Sequence, residues 1–296
     1  MSDSPSTPVA VPLPHRGVLR LTGEDRIAFL QGLVSNDVAQ AEAGGALHAA
    51  FLTPQGKFLH DLFVIPQGDS LLLECERDRA ADLLRRLSMY RLRSKVKLED
   101  ASDRFTVHAA IGEGAAAALG LGEPGTVAAV GGGLAYADPR LGALGARLVL
   151  PVGETPPLPA GDTGDWDRLR LSLGVPDGSR DLIPEKSILL ENGFDRLNGV
   201  SWSKGCYMGQ ELTARTKYRG LVKKRLTPVR VDGPLPEPGT PVLMGDKEIG
   251  EVRSGRAGLA LALLRIEDLA AAEAAGTTLT AGGAVLSPFR PAWLGD

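Results

Sequence analysis

Val18-Leu-Arg-Leu21, followed by Thr22-Gly-Glu-Asp-Arg-Ile-Ala-Phe-Leu-Gln-Gly-Leu-Val-Ser-Asn-Asp37, opens the stretch that sets the fold class. The first four residues read as a short strand. Thr22 offers a helix N-cap with Asp25 three residues on, close to a capping box. Ile27, Leu30 and Val34 recur at helical spacing, which predicts a helix over 24–39. Strand-like runs follow over 48–52, 57–65 and 70–75, parted by the turn sequences Thr53-Pro-Gln-Gly56 and Gln67-Gly-Asp69. Over 77–87, Ala80, Leu83, Leu84 and Leu87 share one face of a second helix. Strand, helix, three strands, helix predicts an α+β unit with an antiparallel sheet.

Outward from this unit the texture changes twice. Residues 1–15, with Pro5, Pro8, Pro12 and Pro14, read as a loose arm. Residues 101–160 are rich in Ala and Gly, and Gly131-Gly-Gly133 lacks phosphate-loop spacing, so it reads as a hairpin or loop. Trp166, Leu169 and Leu173 share a helix face, with Gly174 and Pro176 as stop signals. Beyond residue 224, short β-like runs over 226–231, 241–244, 248–253 and 259–266 alternate with Pro/Gly turns. They predict a small barrel or sandwich, interrupted by an Ala-rich helix over 267–275.

Of the 296 residues, 43% are hydrophobic, and 33 Lys+Arg face 36 Asp+Glu for a formal charge of −3, which argues against wholesale disorder. No apolar run is long enough for a membrane-spanning helix. The start shows neither a basic nor an apolar leader, and two cysteines make no disulfide framework, so a reducing, cytoplasmic setting is expected. Two thiols also fall short of the four that an all-cysteine zinc or iron–sulfur site needs, and no metal site is expected.

The chemistry concentrates in Lys204-Gly-Cys-Tyr-Met-Gly-Gln-Glu211. A helix beginning at Gln210 would set Cys206 on a Gly-flanked loop near a helix N-terminus, where the dipole and Lys204 both favour a thiolate. A buried structural cysteine fits the same spacing. His15, His48, His60 and His108 show no ligand spacing. Charge is uneven: over 204–225 seven basic residues face the single acid Glu211, and over 77–97 eight face two. A polycarboxylate tail, a phosphate or RNA would suit such clusters; a solvated face is the plainer alternative.

Lys204-Gly-Cys-Tyr-Met-Gly-Gln-Glu211 resembles the signature KGCYxGQE of the YgfZ family of folate-binding proteins, which is related to the T protein (aminomethyltransferase) of the glycine cleavage system. The stretch from Thr22 to Asp37 resembles that family's first helix. Phe51-Leu-Thr-Pro-Gln-Gly-Lys57 resembles its strand–turn–strand, Arg215 with Arg219-Gly220 the run after the signature, and 241–254 its final barrel. The resemblance implies an α+β fold, a three-module ring like that of T protein, with antiparallel sheets, helices and a small C-terminal β-barrel. The arm over 1–15 would precede a folate-binding region of two interleaved α+β modules over 16–224, then the barrel over 225–296.

The same resemblance implies tetrahydrofolate or a one-carbon derivative as cofactor, bound in the middle of the ring. It implies a role in assembling or repairing iron–sulfur clusters of some enzymes, tRNA-modifying ones among them. Cys206 would be the functional thiol with Lys204 beside it, and Gly205, Tyr207, Gly209, Gln210 and Arg215 would line the folate. Glu185 stands where T proteins use a pterin-binding Glu, though Pro184-Glu185 is one residue shorter than their Pro-x-Glu. Trp166 and Trp202 are the candidate aromatic walls. The implied partners are folate and, transiently, iron–sulfur enzymes or cluster-assembly proteins, with no membrane, no stable nucleic acid and a monomeric chain. The strand end Glu74-Cys75-Glu76 departs from T protein, which itself lacks KGCYxGQE. A folate-dependent one-carbon transferase therefore ranks second, and a tRNA-binding module third.

Overall fold

A computed structural model describes residues 5–294. Strand β1, Val9–Pro12, precedes β2, Arg16–Thr22. Two short helices follow, α1 (Arg26–Gln31) and α2 (Ala39–Glu42), and then β3 (Leu47–Leu52), β4 (Phe58–Gln67) and β5 (Ser70–Glu76). Helix α3, Ala80–Met89, leads to β6, Lys97–Asp100. These strands form a five-stranded antiparallel sheet in the order β3-β4-β5-β2-β6. The α+β unit is therefore present, with one difference: the predicted helix over 24–39 is broken. Thr22 ends β2, and Asp25 accepts from the Lys95 N–H at 2.7 Å. Ser35 and Asn36 turn their side chains to distant backbone, which competes with helix propagation.

The second sheet has the order β1-β7-β10-β9-β8. Its other members are β7 (Phe105–Ile111), β8 (Val127–Val130), β9 (Gly133–Ala137) and β10 (Ala146–Pro151), with the single-turn helix α4 (Ala115–Ala118) between β7 and β8. Gly131 and Gly132 form the β8–β9 hairpin turn. The loose arm is corrected in part: Val9–Pro12 is a strand, pairing with β7 from Val9↔Ile111 to Pro12↔His108. Ala10, Val11 and Leu13 bury their apolar surface there, which outweighs the prolines. Residues 1–4 of that arm lie outside the described residues.

The two sheets pack face to face, Val18, Phe63, Ile65 and Leu72 of the first against Val107, Ala109, Tyr136 and Val149 of the second. Within this apolar layer lies a buried ionic cluster. Glu74 accepts from Arg16 Nε at 3.0 Å, and also from Arg147 and the Tyr136 hydroxyl. Asp138 accepts from Arg140 Nη2 at 2.7 Å and Arg147 Nε at 3.3 Å. Burial would raise the Asp138 carboxyl, but the two arginines hold it well below the usual carboxylate range.

Helix α5 (Thr163–Ser172), entered through a capping box at Asp162, carries Arg170 to the third module. After α6 (Gln210–Tyr218), strands β11 (Lys224–Asp232), β12 (Pro241–Met244), β13 (Lys247–Arg256), β14 (Leu259–Arg265), β15 (Leu279–Ala281) and β16 (Ala284–Pro288) close into a barrel. Helix α7, Ile266–Ala275, lies between β14 and β15. Arg170 Nη2 donates to Ser254 Oγ at 2.9 Å and Asp181 accepts from the Ser254 N–H at 3.1 Å, tying α5 and the following loop to β13.

His48 stacks between Phe63 and Phe194, with ring centroids 5.1 and 4.8 Å away. Burial, reinforced by Arg140, pushes its imidazole down to about 3. The unfolded chain therefore binds one more proton than the native state once pH drops below about 6.5. This contribution is intact above that pH and is lost on acidification towards 3. Urea unfolding should show the native state about 2 kcal/mol less stable at pH 5 than at pH 7 from this residue. His48→Phe should flatten that slope; an unchanged slope would mean His48 does not control it.

Candidate functional site

The signature loop is bracketed at both ends by the segment after α1. The Ser201 N–H donates to Ser35 O at 3.0 Å, and the Met208 N–H to Gly32 O at 3.0 Å. Lys204 closes the bracket, its Nζ donating to the carbonyls of Gln31, Val34 and Asn36 at 2.7, 2.8 and 2.7 Å. All three ammonium hydrogens are thereby engaged. Burial lowers Lys204 to about 8, so it stays protonated at neutral pH. On the far side, Gly209 has φ +78 and a Cβ there would meet Thr53 O at 2.4 Å. A Cβ at Gly56 (φ +81) would reciprocally meet Gly209 O at 2.6 Å. Two glycines thus let the loop and the β3–β4 turn touch backbone to backbone. Gln210 begins α6, its Oε1 accepting from the Tyr207 N–H at 3.0 Å.

Between these anchors Cys206 is exposed, and the space around Gly205 is open. Tyr207 turns inward, packing with Leu52, Phe58, Leu190 and Phe194. Burial pushes its phenol up to about 12, so it stays neutral. Cys75 is fully buried between β2 and β4, and burial pushes its thiol up to about 12. The chain therefore offers solvent one of its two thiols. Lys204 differs from its sequence reading: its ammonium is held by backbone carbonyls rather than directed to the thiol.

The remaining candidates scatter. Trp202 flanks the loop with Lys217 Nζ 3.6 Å from its ring centroid. Arg215 faces solvent in an i,i+4 pair with Glu211 at 3.1 Å. Glu185, at φ +64, has a side chain 63% exposed and accepts from Arg86 of α3 at 3.2 Å. Trp166 is only 2% exposed, with the guanidiniums of Arg147 and Arg140 5.1 and 5.9 Å from its ring. Glu185 on the surface and Trp166 in the core do not form one pocket with the Cys206 loop. The space between the sheets is filled by Arg16, Glu74, Asp138, Arg140 and Arg147, each nearly inaccessible. Trp202, by contrast, joins Ser201, Ser203, Asn36, His48 and Asn198 in lining an open cavity of about 510 Å³ beside the loop.

Sequence reading passed over Ser35 and Asn36. Ser35 Oγ donates to Gly199 O at 2.5 Å and accepts from the Ala50 N–H at 2.8 Å. Asn36 Nδ2 donates to His48 O and Asn198 O at 2.8 and 2.7 Å. The available signal was two small polar residues interrupting a helical apolar pattern.

Residues 223–296 match the family model described as the CAF17 C-terminal beta-barrel domain. The chain is 38% identical to the mitochondrial iron–sulfur cluster assembly factor IBA57 of Homo sapiens over 281 residues, covering 87% of this chain and 77% of that protein. The chain belongs to the IBA57 family of iron–sulfur cluster assembly factors. Its IBA57 relative in Mus musculus is 34% identical over 282 residues, with the same 87% and 77% coverage. The Neurospora crassa IBA57 homolog is 34% identical over 242 residues, 76% of this chain and 54% of that longer protein. The glycine cleavage aminomethyltransferase T of Bartonella henselae superposes with a TM-score of 0.75 over 98% of this chain and 86% of its own. At 16% identity that likeness shows the T-protein fold and nothing of its chemistry. The resemblance drawn from the signature thus holds at the level of fold and wider family, while the matching names are IBA57. The cytoplasmic expectation is overturned: these IBA57 relatives are named as mitochondrial. Two free thiols call for a reducing environment, and composition does not distinguish which compartment supplies it.

Iodoacetamide at neutral pH should label Cys206 in the native protein and reach Cys75 only on unfolding, as read by peptide mass mapping. Equal labelling of both would contradict the buried position of Cys75. Lys204→Met should cost on the order of 3 kcal/mol in urea unfolding, because it strands three carbonyls that accept from a charged donor. A loss below about 0.5 kcal/mol would show that water replaces the clamp.

Proposed function

We propose that this chain serves iron–sulfur cluster assembly, as its relatives' names state of them, and that Cys206 is the group through which it meets a cluster or a cluster carrier. The observation that carries this reading is the exposed thiol on a loop held by hydrogen bonds at both ends, with the other thiol sealed in the core. Clusters are bound chiefly through thiolates, usually four. One accessible cysteine supplies a quarter of that set. Among the described residues no group of three or more His, Cys, Asp or Glu is placed to hold a metal ion. The cluster is therefore cargo shared with a partner protein that brings the other ligands.

Tetrahydrofolate or a one-carbon derivative is the small molecule of this reading, supported by the T-protein fold and by the cavity that Trp202 and Ser203 line beside the signature loop, with Glu185 and Trp166 standing apart from it. Titration of the purified protein with tetrahydrofolate, followed by fluorescence of its tryptophans, tests that cofactor; saturable binding is expected, and no change up to millimolar folate would remove it. Turnover of an aminomethyl-lipoyl carrier would raise the transferase alternative. For the thiol itself, Cys206→Ala should fold as the parent, since the side chain is exposed, yet fail to restore iron–sulfur enzyme activity in cells lacking the native protein. Full restoration by Cys206→Ala would remove the thiol from the function.

A further inference from the structure

The two basic clusters of the sequence have different fates. In the first, all but Arg91 and Arg93 are paired: Arg77 with Asp103, Arg79 with Glu76, Arg85 and Arg86 with Asp82, Lys95 with Glu24 and Lys97 with Glu99. In the second, Lys223 and Lys224, joined by Arg265 across the β11–β14 ladder, form no ion pair among the described residues. These three cations line a groove of about 700 Å³ between the turn after α6 and the start of α7. Leu221, 45% exposed, and Ile266, 38% exposed, give the same groove apolar walls. Its acids are Glu267 and Asp268, the latter paired with Lys247 at 2.5 Å.

We propose that this groove seats an acidic segment of a partner protein, one in which an apolar side chain lies between carboxylates. The cations would meet the carboxylates while Leu221 and Ile266 receive the apolar group. The surface continues towards the thiol: Tyr218, 74% exposed, lies edge-on to Trp202 at 6.5 Å, and Trp202 is four residues from Cys206. Helix α6 joins the Cys206 loop at its start to the turn that walls the groove at its end. RNA suits the site less well, since Lys217 sits over the Trp202 ring where a base would stack, and the groove has apolar walls that an apolar side chain, not a phosphate backbone, would fill. The proposal rests on the cluster-assembly reading for its partner and adds that partner's chemistry.

The test uses the full chain and a fluorescein-labelled octapeptide, Gly-Glu-Leu-Asp-Glu-Leu-Asp-Gly, by fluorescence anisotropy. Binding should weaken roughly tenfold between low and moderate salt. Joint charge reversal, Lys223→Glu with Arg265→Glu, should weaken it by about another tenfold at low salt. A Leu→Ser version of the peptide should bind several-fold more weakly than the parent peptide, and Leu221→Ala should shrink that difference. Circular dichroism of each variant controls for folding. No measurable binding, binding indifferent to charge reversal, or displacement of the peptide by a single-stranded uridine oligomer that itself binds more tightly would each overturn the proposal. Cys206→Ala should bind the peptide as the parent does. If that variant restores the cells while the peptide binds as expected, the thiol reading falls and the groove stands; if it fails to restore them and the peptide does not bind, the groove falls alone.

Discussion

Glu74 is the point on which the two sheets depend. Its carboxylate accepts from Arg16 on β2, from Arg147 on β10 and from the Tyr136 hydroxyl on β9, so one side chain of the first sheet is bonded to two strands of the second. Taking these charges out of water is costly, and only complete pairing offsets it; a lost partner in such a setting costs roughly 3–5 kcal/mol. A shifted packing of the sheets would separate Glu74 or Asp138 from its arginines, whereas an apolar layer alone would tolerate several registers. The charges thus restrict how the sheets can meet, and the surrounding Val, Leu and Phe side chains supply the burial that favours meeting at all.

The consequence for the site is that the layer between the two sheets is occupied by these paired side chains. Side chains fill the region between the sheets, including Trp166 under its two arginines. What the fold presents instead is on the outside: a loop fastened by an ammonium across three carbonyls at one end and by two glycines at the other. Such fastening leaves Cys206 in water while limiting where the thiol can go, as the proposed meeting with a partner's cluster requires. The superposition with aminomethyltransferase T describes the same scaffold at 16% identity, and the site has to be argued from the side chains that stand on it.

Much of this was legible in the chain itself wherever the determining contacts are local. The order of strands and helices over 18–87 follows from hydrophobic period and turn residues. The barrel follows from short runs between Pro/Gly turns, and the place of the Cys206 loop just before a helix from its glycines and the run that begins at Gln210. Tertiary structure decided the rest, because the partners are far apart in sequence. The helix expected over 24–39 stops because Ser35 and Asn36 bond to residues about 160 positions away, which no local pattern reveals. Val9–Pro12 becomes a strand because β7, about a hundred residues on, offers an edge to pair with. Lys204, adjacent to the thiol in sequence, is drawn off by carbonyls about 170 positions earlier. Spacing alone left Cys206 able to be either reactive or structural, and only the assembled structure, which seals Cys75 in the first sheet and leaves Cys206 in water, decided between them.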